Sequence, residues 1–167
     1  QELLEKELEA SFTINGPLQS YIKFDAMKRQ RTGLRHDKSS LAIDGNTTLF
    51  DENLVTLYGE MKPLAGLFMG LNVSSGDSID LTNNRLGKRF NVRPTMNVNL
   101  TRHLELKLRH TYEKMDSANT HLFTANLTDA RLTYQFDIKS FLRLAFIYTN
   151  IDRNVENYLI NVDKRYQ

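Results

Sequence analysis

Seven polar residues spaced along the second half of the chain carry its clearest chemical signal. Arg89, Arg93, Asn97, Lys107, Arg109, Arg131 and Arg143 all occupy odd-numbered positions. In extended chain, residues an even number apart point to one side. A hairpin turning through Thr101, Arg102 and His103 sets Arg93, Thr95 and Asn97 near Lys107, Arg109 and Thr111. Arg131 and Arg143 join from the next hairpin. Such a wall, as the lumen of a pore, favours anionic or hydroxylated solutes. A purely structural alternative pairs the same arginines with Glu105 and Glu113, and both readings stand open.

Other clusters are weaker. Lys28, Arg29, Arg31, Arg35, His36 and Lys38 form a basic run broken by Asp37; in an outer loop they would meet lipopolysaccharide phosphates, or simply be solvated. Asp77, Asp80 and Asn83 offer oxygen ligands for calcium without the EF-hand spacing. His36, His103, His110 and His121 lack metal-ligand spacing, so no metal or other cofactor is expected. His110 lies where a catalytic base would need a serine beside it, and none is in place. No catalytic residue is assigned, and an enzyme is not expected.

What positions the cations is a period of two. Between residues 86 and 100, Leu86, Phe90, Val92, Pro94, Met96, Val98 and Leu100 share one face, interrupted by Lys88. Leu104, Leu106, Leu108, His110 and Tyr112 continue it after the turn. Ala130, Leu132, Tyr134 and Phe136, then Leu142, Leu144, Phe146 and Tyr148, repeat the design around a turn at Asp137 to Ser140. Soluble strands average about five or six residues, whereas tilted membrane strands need about nine to eleven. Tyr112 and Tyr148 fall where one interfacial aromatic belt would lie, and Tyr134 and Phe136 mark the opposite one, with Phe146 facing lipid between them.

Earlier strands are less regular. Leu8, Ala10, Phe12 and Ile14 share a face, as do Ile22, Phe24 and Ala26, a weak set of Leu41, Ile43, Thr47 and Leu49, then Val55, Leu57 and Met61, then Ala65, Leu67, Met69, Leu71 and Val73. About nine strands are expected, with the weak set uncertain between a strand and a hairpin beyond the membrane. Short connections at residues 15–18, 62–65, 101–103 and 137–140 alternate with longer polar ones at 28–39, 74–84, 116–120 and 152–157. That asymmetry fits periplasmic turns and external loops. The apolar phase slips between Leu127 and Ala130, which predicts a bulge near Thr128.

Composition excludes little else. A chain of 167 residues, 40% hydrophobic and 25% charged, resembles an ordinary globule. Its mean hydropathy of -0.47 is compatible with strands that show lipid only every second residue. No window approaches the roughly 18 apolar residues of a membrane helix. A net charge of +2 argues against nucleic acid as a partner. The absence of cysteine removes disulfides and thiolate chemistry. Residues 1–10 show no leader, so a secretion signal is expected to lie upstream or to have been removed.

The strings NNRLGKRFNVRPTMNVNLTRHLELKLRHTY, residues 83–112, and LFTANLTDARLTYQFDIKSFLRLAFIYTNIDRN, residues 122–154, resemble a family of bacterial outer-membrane proteins. In that family a domain like a family-nine carbohydrate-binding module precedes a long C-terminal barrel of unassigned function. The likeness covers roughly half of this chain and extends faintly back to Val55. It implies an all-β, antiparallel up-and-down transmembrane barrel in the outer membrane of a Gram-negative bacterium. The chain departs from a complete member in lacking the module and in ending on Lys164, Arg165, Tyr166 and Gln167 without a final aromatic-ended strand. Residues 1–167 are therefore expected to be an internal barrel segment, completed by strands from the same chain or a partner.

The functional expectation is porin-like passage or docking of a solute, carbohydrate-related if the family's accessory module is a guide, with outer-membrane lipid around it. The alternative is a soluble antiparallel sandwich or lipocalin-like module in which the apolar face is a core.

Overall fold

The computed structural model describes residues 5–32, 49–81, 84–117 and 120–154, and within them the chain is all β. Eight strands follow in order: β1 (Glu5–Gly16), β2 (Ser20–Thr32), β3 (Leu49–Leu64), β4 (Leu67–Asp80), β5 (Arg85–Asn99), β6 (Leu104–Ser117), β7 (Thr120–Gln135) and β8 (Phe141–Arg153). Each pairs antiparallel with its sequence neighbours, so one up-and-down sheet results. It is open, with β1 and β8 as its edges. Of the weak set expected as a ninth strand, Leu41, Ile43 and Thr47 lie outside the described residues, and Leu49 begins β3.

The long strands follow from the long alternation. Pro94 sits inside β5, where a missing N–H is costly. The structure tolerates it by leaving Arg93 and Pro94 out of the ladder with β6, while the register resumes unshifted at Thr95 opposite Arg109. The turns use local chemistry: Gly66 has φ +80 between β3 and β4, a value open to glycine. Between β7 and β8, Asp137 Oδ1 accepts the backbone N–H of Lys139 at 2.7 Å and of Ser140 at 2.9 Å. Those donors hold the Asp137 carboxyl below its ordinary range.

Two expectations are corrected. The β6–β7 register runs unshifted past Thr128, opposite His110, and its irregularity lies between Met115 and Asp116. There is no bulge at Thr128. Ala125 and Leu127 instead lie on the polar face, Ala125 between Glu113 and Ile151 and Leu127 between Thr111 and Thr149. The long connections expected at 74–84 and 116–120 are also mostly strand, since β4 runs to Asp80 and β6 to Ser117. Their polar residues read as loop but pair as ladder, with Ser74 opposite Asn91 and Asp77 opposite Lys88.

The sheet is one layer thick among the described residues. Leu8, Phe12, Leu144 and Phe146 remain exposed on its apolar face, and the buried hydrophobics are Ile79, Met115 and Leu122, near the strand ends away from the short turns. Following the register from strand to strand places Ile14, Ile22, Gly59, Leu71, Pro94, His110, Thr128 and Tyr148 in one cross-strand row. The apolar run does not follow that row. On β1 it spans residues 8–14 and ends at Ile14, on the side of the short turns; on β8 it spans 142–148 and ends at Tyr148, on the opposite side. The midpoints, residues 11 and 145, are thus displaced by six residues across seven interstrand steps. The apolar band is diagonal, stepping by nearly one residue per strand.

Where β3 meets β4 the backbones approach closely. A Cβ on Gly76 would lie 2.1 Å from the Asn53 carbonyl oxygen, whereas one on Gly59 has its nearest neighbour, Ile22, at 3.9 Å. Gly76→Ala is expected to destabilise the fold by roughly 1–3 kcal/mol and Gly59→Ala by much less, read from unfolding midpoints in urea.

Candidate functional site

The register brings the seven expected polar residues onto one face. Asn97 stands opposite Lys107, Thr95 opposite Arg109, Lys107 opposite Arg131, and Thr133 opposite Arg143; Arg89 and Arg93 share the β5 parity of Thr95. The opposite face holds Tyr112, Tyr134, Phe146 and Tyr148, and Phe136 follows β7 in the turn. Phe136 packs edge-to-face on Tyr134 at 4.9 Å, and Phe90 on Tyr112 at 6.3 Å.

Part of the polar face is ion-paired, and among the arginines only Arg89 pairs with an acid that the structural alternative named. Arg89 Nε lies 3.3 Å from Glu113 Oε1, Lys107 Nζ 3.3 Å from Glu105 Oε1, and Arg131 Nη2 2.7 Å from Asp129 Oδ2. Arg93 and Arg109 have no carboxylate within ion-pair distance among the described residues. The Arg93 guanidinium lies 3.4 Å from the Asn91 side-chain oxygen. Arg143 donates to Thr133 Oγ1 at 3.3 Å, with its guanidinium 5.4 Å from the centre of the Phe141 ring.

The most enclosed charge on the sheet was not anticipated from sequence. Glu52 is 1% exposed and is gripped by two arginines of the neighbouring strand. Arg29 Nε donates to it at 3.0 Å, and Arg31 Nε and Nη2 at 2.7 and 3.2 Å. Arg29 also lies 3.9 Å from both Glu5 and Glu7 of β1, so acid, base and acid alternate across three strands. The only hint was the odd parity of Arg29 and Arg31 after the apolar positions of β2. It was obscured by reading residues 28–39 as a loop, which the structure corrects for Lys28, Arg29 and Arg31; Arg35, His36 and Lys38 lie outside the described residues. Asn91, fully buried, donates to Glu113 Oε2 at 3.1 Å.

The calcium candidates resolve otherwise. Asp77 bonds Lys88 and the backbone and side-chain nitrogens of Asn53, and Asp80 accepts from Arg85 at 3.1 Å; Asn83 lies outside the described residues. Both carboxylates are held by cations or amide donors, which removes the pair as a ready oxygen cage. His110 Nδ1 lies 2.8 Å from Thr128 Oγ1, His103 Nδ1 3.0 Å from the Gln135 carbonyl, and His121 Nδ1 3.0 Å from Asp116 Oδ1. Each sits in a separate local pairing.

Two hollows mark the faces. One of about 510 Å³ lies at the short-turn end of the polar face, with Asn99, Arg102, His103, Glu105, Thr133 and Gln135 in its lining. The other, about 680 Å³, crosses the apolar face beside Ile22, Gly59, Leu71, Pro94, His110 and Thr128. Gly59 and Pro94 lower the surface there. Comparison of the chain with protein-family models, with curated proteins and with solved structures gives no match.

Glu52→Gln would leave Arg29 and Arg31 facing a neutral amide in a water-poor position. A loss of roughly 1–3 kcal/mol is expected, against under about 0.5 kcal/mol for Glu7→Gln at the exposed end of the same ladder. Parallel urea titrations of the two variants check it.

Proposed function

We propose that this chain is part of a transmembrane β-barrel of a Gram-negative outer membrane, and that its polar face lines the path or docking surface of a solute. The diagonal apolar band is the observation that carries this reading. With about 3.3 Å per residue and about 4.8 Å between strands, a step of nearly one residue per strand corresponds to strands tilted by about 30° from the normal to the band. Membrane barrels tilt theirs by about 35–45°. The β6 run from Leu104 to Tyr112, so inclined, spans about 25 Å, close to the apolar height of such barrels.

Three further features support the same reading. The apolar face is uncovered among the described residues, and lipid would cover it. Beyond the band, the ladder continues with Asp77, Lys88, Lys114 and Asp116 on the same face, where headgroups and lipopolysaccharide phosphates would lie. The resemblance of residues 83–112 and 122–154 to an outer-membrane family points the same way, and a carbohydrate-related solute rests on that resemblance alone. Among the described residues the edges at β1 and β8 are free, and lipid cannot satisfy their backbone groups. The reading therefore includes further antiparallel strands, from the same chain or a partner.

The hollow across the apolar face favours a second reading, a soluble lipocalin-like or sandwich module with an apolar ligand or second layer seated there. Arginine substitution separates the two. In a bilayer, Leu106→Arg or Val98→Arg is expected to cost roughly 2–4 kcal/mol, and Thr95→Arg or Asn97→Arg little, measured by unfolding of the full-length protein in lipid vesicles. A stable, compact monomer in the absence of detergent would contradict the barrel.

A further inference from the structure

The cations of the polar face fall into two groups once their positions are referred to the diagonal band. The apolar runs on β5, β6, β7 and β8 cover residues 90–100, 104–112, 130–136 and 142–148, with midpoints at 95, 108, 133 and 145. Arg93, Lys107, Arg109, Arg131 and Arg143 each lie within two residues of the midpoint on their own strand. Arg89 and Arg153 lie well away from it. Glu105 and Asp129, the acids nearest this group, stand three and four residues from their midpoints. On β1, β2 and β3 the runs 8–14, 22–26 and 55–61 have midpoints at 11, 24 and 58. The charges within two residues there are Glu9, Lys23, Asp25 and Glu60. At one level of the band, the polar face therefore carries five cations on β5–β8, and one cation against three carboxylates on β1–β3.

We propose that these five cations form a binding station for multivalent oxyanions, phosphate- or carboxylate-bearing, at the mid-height of the barrel wall. This rests on the transmembrane reading, because the common level exists only relative to a tilted band.

The local geometry supports a ligand beyond the internal pairings. Lys107 and Arg131 stand directly opposite each other, and like charges in that relation destabilise a sheet. Glu105 and Asp129 draw them along their own strands and leave the gap between the strands positive. Arg109 faces Asp129 in register without reaching ion-pair distance among the described residues, and Arg93 reaches only an amide oxygen. Guanidinium forks without a carboxylate partner take planar or tetrahedral oxyanions bidentately. Rings of arginine and lysine are a recurrent means of selecting anions in pores.

The test is calorimetric titration of the full-length protein in detergent micelles, at low ionic strength, with inorganic pyrophosphate and, in a parallel arm, with citrate. Saturable binding is expected, weakened by salt and by about tenfold or more in Arg93→Gln/Arg109→Gln, since each lost charged hydrogen bond is worth at least one decade. Arg102→Gln, in the turn, should bind as the parent does. Saturation by pyrophosphate alone assigns a phosphoryl ligand, and saturation by both assigns polyanions generally. No saturation in either arm, or undiminished binding in the double variant, overturns the station while leaving the barrel intact. A protein that is soluble and monomeric without detergent overturns the barrel and the station together.

Discussion

A β-sheet one layer thick has an unmet requirement on each face and each edge. Its apolar side must be withdrawn from water, and its outer strands must find partners for their backbone groups. Most of the features of this chain follow from those two demands. Strands of 12 to 16 residues supply a broad apolar surface that nothing among the described residues covers. The polar side compensates with ion pairs between neighbouring strands or along one strand, the Arg29–Glu52–Arg31 grip being the most enclosed of them. The sheet is stitched by ladders and charge, and a surrounding apolar medium would complete it.

The diagonal course of the apolar band connects the two faces. Register fixes which residues are neighbours, and hydrophobic pattern fixes which are withdrawn from water. Their mismatch of six residues across the sheet is what tilted strands in a layer of constant thickness produce. On the reverse side, Arg93, Lys107, Arg109, Arg131 and Arg143 come to one level relative to the oblique band, although only Lys107 and Arg131 among them share a cross-strand row. A straight cross-strand reading scatters them.

The hairpins β5–β6 and β7–β8 and the faces of their residues were legible from alternation alone, because both strands of each hairpin keep a strict period of two. The seven lumen candidates emerge on one face for the same reason. Strand ends were less legible: residues 74–80 carry Ser, Gly and Asp, which read as a loop, and they pair because Asn53, Lys88 and Asn91 stand across from them. The phase slip at Leu127 misled because Ala125 and Leu127 have apolar or β-branched partners on β8, and no single strand shows its neighbour's side chains. Glu52 was invisible for a similar reason. Its burial depends on Arg29 and Arg31 from the preceding strand, across residues 33–48 of intervening chain.

The proposed bilayer accounts for the oblique course of the apolar band across the sheet. Ile14 and Tyr148 share one cross-strand row, yet they lie at opposite ends of their apolar runs. Residues 1–167 hold no cysteine, so within them a nitroxide can be attached at either position through a single introduced cysteine, any cysteine elsewhere in the full-length protein being replaced first. The depth of each label in lipid vesicles containing the full-length protein is then read from its collision rates with oxygen and with a water-soluble relaxant. Labels in opposite leaflets, separated in depth by about 15–20 Å for six residues inclined at about 30°, are the predicted result. Equal depths, or full access to water at both sites, would contradict it.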